Sequence, residues 1–114
     1  MKKEGTPFIA VSWKTVTPTK HPGTKGVASW RTVEVGNVRM RIVEYSPGYI
    51  ADHWCPKGHV VFVLEGELVT ELKNGKEFVM KRGDSGHIAE NKSNPHMSRS
   101  ERGAKLFVVD QGSE

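Results

Sequence analysis

His53, Cys55 and His59 fall within seven residues, His53-Trp54-Cys55-Pro56-Lys57-Gly58-His59, and Cys55 is the only cysteine in the chain. Imidazole nitrogen and thiolate sulfur are good ligands for zinc and other late first-row metals, so this cluster points first to a metal site. Residues two apart on a strand share a face, which lets His53 and Cys55 aim at one interior spot. A turn through Pro56 to Gly58 then returns His59 to it. The same residues admit thiol chemistry, with Cys55 as nucleophile and His53 or His59 as its base. Cys55 can also be read as a small buried hydrophobe, and His59 as a pocket acid or base.

Other residues carry weaker signals. His87 follows Gly86 and is expected at the surface or on a pocket rim, while His21 lies in a Pro-rich stretch and is expected to be solvated. Trp54 alternates away from the ligand face and reads as packing. Asp52 either orients a ligand or caps a turn. An inward Arg39, Arg41 or Arg99 could grip a carboxylate, although an exposed strand face is the plainer reading. Tyr45 and Met97 are pocket candidates on the same terms, with core packing the plainer account.

The elements that must position these groups are strands. Helical periodicity is almost absent, and short runs of Val, Ile, Phe and Thr alternate with Gly, Pro, Asn and Asp. Val38, Met40 and Ile42 take one face and Asn37, Arg39 and Arg41 the other, the alternation of a strand with one buried side. Ser46-Pro47-Gly48 breaks it. His59 to Leu64 reads as an apolar strand, Glu65-Gly66 as a turn, and Glu67 to Leu72 as a strand with Leu68 and Leu72 inward. Asn74-Gly75 is the strongest hairpin signal, followed by a return strand at Glu77 to Met80, a turn at Arg82-Gly83-Asp84 and a last strand at Lys105 to Asp110. Residues 1–28 differ, because Pro7, Pro18, Pro22 and the Gly23 to Gly26 stretch argue for an extended arm, with Phe8 to Trp13 as a possible edge strand. The barrel proper is expected over 29–114. The arm is expected to pack on the barrel or on a partner, completing a homodimer.

The spacing Gly48, four residues, His53-Trp54-Cys55, three residues, His59, six residues, Gly66 resembles the first motif of the cupins. Cys55 stands where that family has its second His, and His59 where it has Glu. Gly83, Asp84, Asn91 and His96 resemble the second motif with about two extra residues. The resemblance covers roughly residues 36 to 110 and is nearest to small bacterial cupins named for a DHCW motif, here Asp52-His53-Trp54-Cys55. It implies an all-β, double-stranded β-helix or jelly-roll barrel, frequent dimers, and one divalent metal in the barrel mouth, with His96 completing a ligand set of His53, Cys55, His59 and His96. Three histidines around one cysteine exceed what a thiol nucleophile needs.

Cupins perform many activities, so the resemblance names no reaction. Four ligands of the type His3Cys would fill a tetrahedral zinc site, which favours a module that binds or senses a small molecule. Iron, nickel, manganese or copper remain alternatives. A metal with five or six ligands would leave positions open for an enzyme of oxygenase, isomerase or hydrolase type.

Composition agrees with one small globular domain. The chain has 114 residues, 36% hydrophobic and 26% charged, with 12 Gly and 6 Pro for many tight turns. Its longest apolar runs are far short of the roughly 20 residues of a membrane span. The lone cysteine forbids an internal disulfide and, with no apolar leader after Lys2-Lys3, points to a cytoplasmic protein. Lys and Arg give a formal charge of +4 but are scattered, so no nucleic-acid partner is expected.

Overall fold

The computed structural model describes residues 2–3 and 8–111. Among these residues ten strands run in chain order: β1 (Lys2–Lys3), β2 (Thr19–Pro22), β3 (Val27–Val35), β4 (Val38–Tyr45), β5 (Tyr49–Ile50), β6 (His59–Leu72), β7 (Glu77–Lys81), β8 (Ser85–Ile88), β9 (His96–Ser100) and β10 (Ala104–Gln111). The one helical element among the described residues is a 3-10 turn at Trp13–Thr15. Strand neighbours follow the order β1-β3-β4-β10-β6-β9-β5, with β2 on β3 and both β7 and β8 on β6. All pairings are antiparallel except β1 with β3. This is the all-β barrel expected from the alternating pattern.

The barrel closes because β6 belongs to two sheets. Its first half pairs with β10 and β8, and its second half with β9 and β7. The turn expected at Glu65-Gly66 is therefore absent, and a bulge takes its place. Leu106 pairs with Val63 while Lys105 pairs with Glu65, which leaves Leu64 as the extra residue. Gly66 adopts φ +80°, and a Cβ there would collide with the Gly103 carbonyl oxygen. The bend needs both the left-handed backbone and the missing side chain.

Across β4, β10 and β6 the inward residues form registered rows. Tyr45, Ala104 and Gly66 make one, Val43, Leu106 and Val63 the next, then Arg41, Val108 and Val61, and last Arg39, Asp110 and His59. Leu106, Val43, Val61 and Val63 are fully buried and anchor a core shared with Ala28, Leu68 and Met80. Each such side chain contributes about 1.5–3 kcal/mol. Successive rows thus change from apolar to charged toward one end of the barrel.

That change corrects the reading of β4. The barrel interior takes Arg39, Arg41, Val43 and Tyr45, while Val38, Met40 and Ile42 face outward. Arg41, Ile42 and Val43 are all buried, so the middle of the strand is covered on both faces. The outer cover comes from the N-terminal segment. The Trp13 ring meets Phe107 edge-on at 6.3 Å, and the Trp13 carbonyl accepts a hydrogen bond from Arg31 Nη1 at 3.3 Å. Arg31, Ile42, Phe107 and Phe62 form one outer row.

The stretch expected as an arm is partly built into the sheet, since Thr19–Pro22 pairs along β3. Phe8 to Trp13 forms no strand. Ile9, Val11 and Trp13 are half-buried while Phe8, Ala10 and Ser12 are exposed, so it lies extended with one side on the protein. Residues 1, 4–7 and 112–114 of the expected arm and barrel lie outside the described residues. Among the described residues no helix is long and apolar enough to cross a membrane.

Candidate metal centre

His53, Cys55, His59 and His96 all line one cavity of about 130 Å³ at the polar end of the barrel. His59 and His96 open two of the strands that wall it, β6 and β9. Their rings stand at right angles with centroids 5.1 Å apart. Cys55 sits opposite His96 in an isolated bridge, its N–H donating to the His96 carbonyl at 2.7 Å and its carbonyl accepting from the His96 N–H at 2.9 Å. This pair of bonds sets the thiol-bearing residue beside the buried imidazole.

The expected strand through His53 and Cys55 does not form. Bends occur at Asp52 and His53, and the His53 side chain is 68% exposed at the cavity mouth. Its Nδ1 lies 2.7 Å from Asp52 Oδ1, a hydrogen bond that orients the ring. No turn forms over Pro56 to Gly58, although the segment still carries the chain from Cys55 to His59. A Cβ on Gly58 would stand 2.7 Å from the Glu90 nitrogen and 2.8 Å from the Ile88 carbonyl oxygen, so glycine permits the segment to lie against residues 88–90. Asn91 donates its N–H to the Pro56 carbonyl at 2.9 Å, and its side-chain oxygen accepts from Ser93 and Asn94. That local turn shapes the approach to His96.

Burial, with His96 and Arg41 nearby, lowers the His59 pKa to about 4, against the smaller opposing effect of Asp110. Burial and then His53 lower that of His96. Both rings are neutral at pH 7 and offer nitrogen lone pairs. Two neutral imidazoles, a third oriented by a carboxylate and one thiol are chemically suited to a late first-row metal. Their side chains do not converge: among the described residues no group of three His, Cys, Asp or Glu stands in metal-holding geometry.

The cavity also holds groups that the sequence did not single out. Asp110 Oδ2 accepts from Arg39 Nε at 2.8 Å and from Arg41 Nε at 2.8 Å, and its Oδ1 accepts from Arg41 Nη2 at 3.0 Å and lies 3.7 Å from His59 Nδ1. Burial would raise its pKa, but the two guanidiniums hold it below the ordinary carboxylate value. Trp30 lies under Arg41 at 4.3 Å and stacks with His21 at 3.8 Å. His21 is therefore half-buried against the barrel rather than fully solvated. Tyr45 and Tyr49 stack at 4.2 Å, and burial, then Tyr45 and Asp52, push the Tyr49 pKa up to about 12.

Of the remaining candidates, Met97 lines the cavity and Arg99 does not; Arg99 pairs with Glu71 and Glu77. Trp54 packs under Lys73 at 4.5 Å. His87 is exposed and borders a separate cavity that includes Phe78 and Met80.

No family model matches the chain, and no curated protein matches it in sequence. Solved structures do resemble it. An RmlC-like cupin from Shewanella frigidimarina superposes with a TM-score of 0.69 at 16% identity, covering 91% of this chain and 90% of that one. A predicted oxalate decarboxylase from Thermotoga maritima gives 0.74 at 18%, covering 92% and 100%. Fe(II)-HppE with an alternative substrate gives 0.72 at 18%, covering 91% and 60%. At these identities the likeness concerns architecture, and the chain has the cupin fold.

Proposed function

We propose that this protein is a small metal-binding cupin, holding one divalent transition metal through His53, Cys55, His59 and His96 in a role of binding or sensing a small molecule. The observation that carries this reading is that all four residues line one cavity, with the two buried imidazoles neutral. Zinc is the first candidate, because His3Cys suits its tetrahedral preference. Metal binding would draw His53 inward from the mouth, with Asp52 keeping its Nδ1 proton. Once bound, the ion would supply Lewis acidity toward a ligand oxygen. Arg41 and Arg39 pair with Asp110 in the chamber lining, and Tyr45, Tyr49 and Met97 give it its apolar walls. The alternative is a metal-dependent enzyme on a small molecule, a reading favoured by the names oxalate decarboxylase and Fe(II)-HppE among proteins of this fold.

Elemental analysis of protein purified without an affinity tag, followed by zinc titration, tests this. Cys55→Ser should weaken zinc binding by about tenfold or more, and His87→Ala should leave it unchanged. Binding should also weaken at acid pH, where protons compete for the ligands. Protein holding under about a tenth of an equivalent of any metal, and taking up neither zinc, iron, nickel nor copper, would overturn the assignment.

A further inference from the structure

The metal ligands leave the charge of their chamber unexplained. Arg39, Arg41 and Lys57 line it, and Asp110 is the only acid among the lining residues. Arg39 and Arg41 share that single carboxylate, so two guanidiniums face one negative charge. Arg41 is 8% exposed, and a buried cation with half a counter-ion is stabilised by any further anion that reaches it. Arg41 also acts electrostatically on Tyr45 and His59, two further residues of the chamber lining.

Position distinguishes the two arginines. Arg41 is fixed by a two-point pairing with Asp110 and by the Trp30 ring at 4.3 Å. Arg39 is held through Nε, its ring distance to Trp30 is 5.8 Å, and its side chain is 40% exposed at the chamber's edge. A planar guanidinium so placed matches a carboxylate's two oxygens. At about 130 Å³ the cavity is well under the roughly 300 Å³ at which drug-sized pockets begin, so its occupant is small.

We infer that the chamber binds a small carboxylate, gripped by Arg39 at the edge and oriented against the Arg41–Asp110 pair. This deepens the small-molecule role proposed above and rests on that reading of the chamber, while its charge argument is independent of the metal. Calorimetric titration of zinc-loaded and of chelator-treated protein with malonate, acetate, inorganic phosphate and the neutral malonamide tests it. Malonate or acetate should bind to both forms, malonamide to neither, and added salt should weaken the interaction. Arg39→Gln should lower carboxylate affinity about tenfold with zinc stoichiometry unchanged, Arg39→Lys should lower it less, and Arg99→Gln should have no effect. Equal binding of malonamide, binding of phosphate alone, no carboxylate binding by either form, or Arg39→Gln and Arg39→Lys both matching wild type would overturn the inference. Loss of metal uptake with carboxylate binding intact would sink the metal assignment and spare this one.

Discussion

His59 couples the site to the stability of the barrel. In the unfolded chain it titrates near its ordinary 6.5, and in the folded protein near about 4, chiefly because burial penalises the charged ring. Between those values the unfolded state binds more protons, so stability rises with pH through that window and is lost as pH falls through it. The gap corresponds to about 3 kcal/mol, present in full above pH 6.5 and gone below about 4. His96, also lowered, adds to the same slope. Asp110 acts at lower pH, since its depressed pKa preserves stability until the carboxylate itself is protonated. Urea denaturation of metal-free protein at pH 7.5, 5.5 and 4.5 should show this fall, and His59→Gln should flatten it. An unchanged slope in the variant would show that the pH dependence does not come from His59.

At the scale of the strand, Gly66 is the position on which closure depends. Gly66→Ala combines a φ of +80° with a backbone collision and should cost about 2–4 kcal/mol. Gly75, at φ +98° but with open space around it, should cost about 1 kcal/mol on the same change. Denaturation midpoints of the two variants compare them directly, and equal losses would remove the collision from the argument.

The hairpin at Asn74-Gly75, the Ser46-Pro47-Gly48 turn and the last strand were legible in the sequence because turn chemistry and apolar alternation agree there. Glu65-Gly66 carries the residues of a turn, but β10 pairs across it and converts it to a bulge. β3 was missed because both of its faces are partly covered, which erases the alternation. His53, Cys55, His59 and His96 were legible by type and spacing, and they share a cavity. Asp110 and Trp30 were not: a lone acid after an apolar run looks like a strand end, and only the rows of the barrel show that it faces His59.

On the whole molecule, the N-terminal segment covers one part of the outer sheet and leaves another bare. Phe62 is 40% exposed, with Val38 and Val60 also exposed. We propose that a second copy of this chain covers this stripe, giving the homodimer expected from the arm. Analytical ultracentrifugation should find a dimer, and Phe62→Glu should yield a folded monomer. Deleting residues 2–14 removes Trp13 from Phe107 and should lower the melting temperature or alter the mass in solution. A deletion variant unchanged in both would show that the segment is ornamental.

The place of β10 in the barrel bears on how the chain is made. It is the last of the ten strands to emerge during synthesis, yet it lies between β4 and β6 and supplies Asp110, Val108 and Leu106 to the rows that join them. Until residues 104–111 are available, β4 and the first half of β6 present unpaired edges facing one another, with Val43, Val61 and Val63 uncovered. Barrel closure therefore waits for contacts between residues some 70 apart in the chain, such as Arg41 with Asp110. A nascent chain stalled before residue 104 would carry the ligands His53, Cys55, His59 and His96 without the wall that encloses them, open to chaperones and proteases.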